Sequence, residues 1–122
     1  MNISPAESVV MEILWRKHAQ SAEDIVAALQ GKRPWQAPTI KTLLNRLLKK
    51  GAITAAKEGR YYLYQPHIER AQYLFTESSG VIDRLFGGRV APLVAHFSEH
   101  RKLSKKDLDA LKRLIDEMQR ER

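Results

Sequence analysis

Ala37-Pro-Thr-Ile-Lys-Thr-Leu-Leu-Asn-Arg-Leu-Leu-Lys-Lys-Gly51 is the stretch on which the reading of this chain turns. Ile40, Leu43, Leu44, Leu47 and Leu48 recur at i, i+3, i+4, i+7 and i+8, the stripe of a helix that buries one face. Thr42, Asn45, Arg46 and Lys49 fall on the opposite side, so that face is cationic and rich in hydrogen-bonding groups. Pro38 suits the first turn, where its missing N–H costs nothing, and Gly51 suits the residue just past the end. A short helix bounded at both ends is expected, with a polar face fitted to the edges of bases.

The charge around this helix is as informative as its pattern. The chain has 122 residues and a formal charge of +7. Residues 1–24 carry two basic and four acidic groups, residues 25–65 eight and one, and residues 66–122 eleven and nine. The middle third thus holds the excess, and no carboxylate lies between Asp24 and Glu58. A solubilising face normally mixes both signs. A one-signed patch attracts a polyanion and releases its counterions on binding. The chain has no cysteine, which excludes disulfides, thiolate metal sites and cysteine nucleophiles. No apolar run approaches the ~18 residues of a membrane span and no signal pattern opens the chain. A soluble, cytoplasmic protein is expected.

Working outward, Ser4-Pro-Ala-Glu7 reads as a capping box ahead of a helix running to about Lys17. Ser21-Ala-Glu-Asp24 repeats the N-cap signature for a short helix ended by Gly31. After Gly51, Ile53–Ala56 and Arg60–Tyr64 read as strands of a hairpin turning through Lys57-Glu-Gly59, with Lys57 and Arg60 at its tip and Pro66 closing it. Strand alternation is expected to set Tyr62 opposite Tyr61 and Tyr64, all three in packing roles. Three short helices and a hairpin make the winged-helix arrangement, a helix-turn-helix variant whose third helix enters the major groove. Further helices are expected over about 70–86, 89–99 and 105–120, the first two parted by Gly87-Gly88 and the last opened by a capping box at Ser104–Asp107. The fold class is therefore mainly α with a small β-hairpin, residues 1–66 forming the winged helix and 67–122 a three-helix unit. The apolar stripes of that unit include Leu85, Leu93, Phe97, Leu108, Leu111, Ile115 and Met118. They exceed what 56 residues can bury alone, so dimerisation through them is expected.

Ile3–Trp15, Trp35–Gly51 and Gly59–Pro66 together resemble the penicillinase-repressor family (BlaI/MecI/CopY). The likeness continues through Phe86-Gly-Gly88 and Leu103-Ser-Lys-Lys-Asp-Leu108, so it spans nearly the whole chain. It implies a homodimeric winged-helix repressor bound to a double-stranded, pseudo-palindromic operator of β-lactam-resistance or related stress genes. Carried over by position, the DNA contacts fall on Thr39, Lys41, Thr42, Asn45 and Arg46, with Arg60 on the wing; Lys49 joins them from the polar face of the third helix. Arginine can grip guanine O6 and N7, asparagine can pair with adenine, and a threonine methyl can meet that of thymine. Trp35 is expected to pack or touch backbone. In one branch of the family a membrane sensor-peptidase directs a cut between Asn and Phe. The matching position is His96-Phe97, where Phe is kept and Asn is not. The copper branch senses metal through C-terminal cysteines, which this chain lacks.

Other classes find less in the residues. His96 and His100 stand one helical turn apart beside Glu99 but lack the third and fourth ligands of a structural zinc site, so no metal is expected. No nucleophile with its base, carboxylate pair or phosphate loop stands out, and neither an enzyme nor a cofactor is expected. The remaining alternative is a winged-helix module binding RNA or protein. Against it, the third helix is more charged than a protein interface core and carries no aromatic on its polar face for stacking.

Overall fold

The computed structural model of the chain describes residues 1–121. Its elements run α1 (Pro5–Arg16), α2 (Ala22–Leu29), α3 (Ala37–Lys50), β1 (Ile53–Glu58), β2 (Tyr61–Pro66), α4 (Arg70–Phe86), α5 (Val90–Glu99) and α6 (Lys105–Arg120). The chain is mainly helical with one antiparallel hairpin. It divides into two compact units, Met1–Leu74 and Phe75–Arg122.

Local chemistry sets the ends of the helices. Ser4 and Glu7 close a reciprocal capping box on α1, and Ser21 and Asp24 do the same on α2, each satisfying two of the backbone donors that a helix start leaves free. Gly51 adopts φ 78°, where Cβ-bearing residues are strained. Its N–H and that of Ala52 return to the carbonyl of Leu47, which stops α3 and turns the chain into β1. The box expected at Ser104 is only half formed. Its hydroxyl accepts from the Asp107 N–H, and no returning bond is seen among the described residues. Arg89 stands as the N-cap of α5 instead of its first residue.

The core lies wholly in the first unit. Val10, Met11 and Leu14 of α1, Ile25 and Leu29 of α2, and Ile40, Leu44 and Leu47 of α3 close on Ala52 and Ile53. Each of the three helices thus presents its apolar stripe to the other two, and the polar side of α3 is forced outward. Trp15 donates to the carbonyl of Ile68 at 3.0 Å and its ring packs 5.5 Å from Tyr73, while Arg70 meets Glu12 at 3.1 Å. The first turn of α4 is thereby fastened to α1.

The hairpin is longer than the apolar runs suggested. Its register pairs Ile53 with Pro66 and ends at Glu58 with Tyr61, leaving Gly59 and Arg60 as a two-residue turn. Gly59 has φ 61° and Arg60 a negative φ, the pattern of a type II′ turn with glycine first. Lys57 therefore sits within β1 opposite Tyr62, not at the tip. Residues two apart share a face of a strand, so Tyr62 and Tyr64 lie together and Tyr61 lies opposite, correcting the expected alternation. An isolated antiparallel bridge adds to this two-stranded sheet. Gln20 exchanges both backbone hydrogen bonds with Tyr64, at 3.0 and 2.8 Å, and ties the α1–α2 connection to the wing.

One buried charge stands out. Glu7 is 1% exposed, and its Oε1 accepts from the Lys50 ammonium at 2.5 Å and from the Ser4 N–H at 2.8 Å. Burial pushes the carboxyl up, but the bonds from Lys50 and from Ser4 outweigh it and hold the group below the usual glutamate range. A carboxyl lowered on folding lends stability above its unfolded pKa, and that stability is lost as pH falls through the folded value. Glu7→Gln is therefore expected to flatten the acid limb of the stability curve below about pH 4.5. Urea midpoints from pH 7 down to 3 check this; a limb as steep in the variant as in the parent would contradict it.

Candidate nucleic-acid interface

The polar face of α3 is available along its length. Thr39, Lys41, Thr42, Asn45, Arg46 and Lys49 are all exposed, whereas Ile40, Leu43, Leu44 and Leu47 between them are buried. Alternation at 3.6 residues per turn produces this, because each buried position fixes where its neighbours must point. Thr42 donates its hydroxyl to the carbonyl of Pro38 at 3.0 Å, so its proton is held by the helix while its oxygen lone pairs can still accept. The described residues hold two ion pairs, Lys50 with Glu7 and Arg70 with Glu12. Lys41, Arg46 and Lys49 belong to neither.

Lys50 departs from the simple cationic-patch picture. Its ammonium also reaches the carbonyl of Asn2 at 2.6 Å, so it serves the inside of the fold and the start of α1. Its neighbour Lys49 keeps an outward face.

The wing approaches the same surface. Lys41 of α3 and Arg60 of the turn line one small cleft with Tyr61, Tyr62 and Tyr64, next to Ala22 and Glu23 at the start of α2. Two cations and the Glu23 carboxylate share that lining, so the cleft keeps a net positive charge at the flank of α3. Tyr61 and Tyr62 are 59% and 52% exposed, too open for the packing duty expected of them. Tyr64 alone is half-buried against the core, and burial raises its phenol pKa. Trp35 packs on the core with the Arg33 guanidinium 5.8 Å from its ring centre.

The residues expected to dimerise belong to the last three helices. No residue of α4, α5 or α6 is buried. Leu85, Phe97, Leu108, Ile115 and Met118 are exposed, and Leu93 and Leu111 are half-buried. His96 and Phe97 are consecutive residues inside α5, exposed but helical, so a protease would meet them in extended form only after α5 opens locally. The His96 and His100 rings lie 4.5 Å apart, and among the described residues no group of three or more His, Cys, Asp or Glu could hold a metal ion. No helix among the described residues is long and apolar enough to cross a membrane.

Sequence reasoning missed that Lys41 and Arg60 line one cleft, because 19 positions separate them and the hairpin register sets where the turn falls. The tyrosines were legible as strand residues, yet their exposure depends on how little of the hairpin the helices cover.

Comparison with known proteins bears on the same surfaces. The family model described as penicillinase repressor matches residues 3–117. The penicillinase repressor of Bacillus licheniformis is 32% identical over 115 residues, covering 94% of this chain and 90% of that protein. The methicillin resistance regulatory protein MecI of Mammaliicoccus sciuri is 33% identical over 114 residues, covering 93% of each. Among solved structures, monomeric Bacillus licheniformis BlaI in complex with the blaP half-operator matches with a TM-score of 0.52 and 37% identity, over 60% of this chain and 89% of that one.

Proposed function

The chain belongs to the penicillinase-repressor family, and from that premise we propose that it is a sequence-specific, DNA-binding transcriptional repressor acting as a homodimer in the cytoplasm. The observation that carries this reading is the outward face of α3. Six exposed polar or cationic side chains stand on a helix whose other face is locked into the core, beside a wing whose turn arginine shares a cleft with Lys41. A rigid helix with an exposed cationic face fits the major groove, and a turn bearing arginine fits the flanking backbone. The similar BlaI in its half-operator complex supports the same use of this surface. No feature of the site favours RNA or a protein partner over duplex DNA.

Roles within the site follow from chemistry. Thr39, Thr42, Asn45 and Arg46 are the candidates for base edges, Arg46 being the one fitted to guanine. Lys41, Lys49 and Arg60 are the candidates for phosphates, where a point charge or a fork gives grip without sequence information. Residues 1–66 form the DNA-binding part and residues 67–122 the dimerising part, with two-fold symmetry matched to an operator of two half-sites.

The test compares Arg46→Ala with Lys49→Ala on the bound operator and on a random duplex. Arg46→Ala is expected to lower operator affinity by about 1–3 kcal/mol and to relax preference at one base position. Lys49→Ala is expected to weaken both duplexes alike and to reduce the salt slope by about one. Equal losses on both duplexes for Arg46→Ala would make it a phosphate clamp and remove it from the reading of sequence.

A further inference from the structure

A cleft of about 530 Å³ lies between the second half of α1, the carboxyl end of α2 and the turn that leads to α3. That volume is within the ~300–1,000 Å³ typical of small-molecule sites. Its floor includes Ile13 and Leu29, and Arg16, Lys17, Lys32 and Arg33 stand around it. None of these four cations takes part in an ion pair among the described residues. The one carboxylate in the lining, Glu12, is engaged by Arg70 at 3.1 and 3.2 Å. From this arrangement we infer that the cleft binds a small organic anion, an apolar body carrying a carboxylate.

The occupant follows from complementarity. A phosphodiester would satisfy the cations and leave the apolar floor wet, while a neutral apolar molecule would fill the floor and leave the cations without a counter-anion. Only a molecule with both ends uses the whole cleft. The carbonyl ends of α1 and α2 oppose an anion, but as screened partial charges against four full ones. Arginine supplies planar, forked donors for a carboxylate, and Arg33 is held over the Trp35 ring.

The cleft is wired to the recognition helix. Lys32 and Arg33 both donate their backbone N–H groups to the carbonyl of Leu29, at 2.9 and 3.0 Å, forming the turn that delivers α3. A bound carboxylate neutralises charge at the approach to α3 and holds this turn, so occupancy lowers duplex affinity and duplex binding lowers occupancy by the same factor. This consequence rests on the DNA-binding reading; the binding site itself does not.

The experiment titrates ¹⁵N-labelled full-length protein with octanoate, and separately with octanamide and acetate. Octanoate is expected to shift the amides of Ile13, Leu29, Lys32 and Arg33 and the Trp35 indole saturably, at least tenfold more tightly than either control. Arg16→Ala combined with Arg33→Ala, two changes at exposed positions, is expected to weaken it a further tenfold. Equal shifts with octanamide, shifts centred on α4–α6, or no shift up to about 10 mM would overturn the site. Saturating octanoate is then expected to lower affinity for a random duplex about threefold. Binding with unchanged duplex affinity would overturn the coupling alone, and an absence of any duplex binding would sink the repressor reading while the shifts still establish the site.

Discussion

Replacing Leu111 and Ile115 together by aspartate is expected to leave the protein monomeric and to lower its affinity for a two-fold operator at least a hundredfold. Both residues lie on the apolar stripe of α6, where Leu108, Ile115 and Met118 are 48%, 52% and 55% exposed in the single chain. Apolar surface gathered in this way marks an interaction site, and two carboxylates placed in it would have to be desolvated without partners on association. The loss on DNA comes from broken linkage. In a dimer the second half-site is met at a high effective concentration, which raises avidity by roughly 10²–10⁴ without any new contact. The winged helix should survive the change, because every buried core residue lies between Ile3 and Ile53. Sedimentation of the variant and titration of a full and a half operator check both parts. An intact dimer would contradict the assignment of this face, and a monomer with undiminished operator affinity would contradict the linkage.

The second large effect is expected at Leu44→Ala. Leu44 is fully buried on the inner face of α3, with α1 and α2 packed on that helix. Truncation removes transfer free energy and leaves a cavity that rigid neighbours fill only in part, at a cost of about 2–5 kcal/mol. Against the ~5–15 kcal/mol total stability of an ordinary domain that is a large share. Thr54→Ala, at an exposed position of β1, is the control and should change stability by less than about 0.5 kcal/mol. Urea unfolding followed by circular dichroism decides it. A loss under about 1 kcal/mol for Leu44→Ala would show that α3 is not anchored by this stripe.

Much of this was legible in the sequence because it is local. The stripe of α3, the serine caps of α1 and α2, Gly51 and the Gly87-Gly88 break each announce themselves within a few residues. The helix limits of α4 and α6 follow from the same signals. What escaped was set by distance or by register. Glu7 reads as half of a capping box, and nothing nearby reveals that Lys50, 43 positions on, completes its environment. Gln20 carries no strand signal, yet it pairs with Tyr64 because α1 ends where the wing edge is open. Lys57-Glu58 looks polar enough for a loop, so local reading sets the hairpin turn too early. Pairing with Tyr61 and Tyr62 keeps those residues in the strand. The exposure of Tyr61 and Tyr62 was equally hidden, since aromatic residues in a strand ordinarily signal packing.

Selection of bound duplexes from a randomised pool asks whether α3 reads a sequence. An operator-reading dimer enriches an inverted repeat, its half-sites about one helical turn apart, with log affinity falling linearly with log salt at a slope of about −0.9 per phosphate contact. Salt-dependent binding with no enriched motif would contradict the repressor reading, because a cationic helix that grips only the backbone is not a reader of an operator.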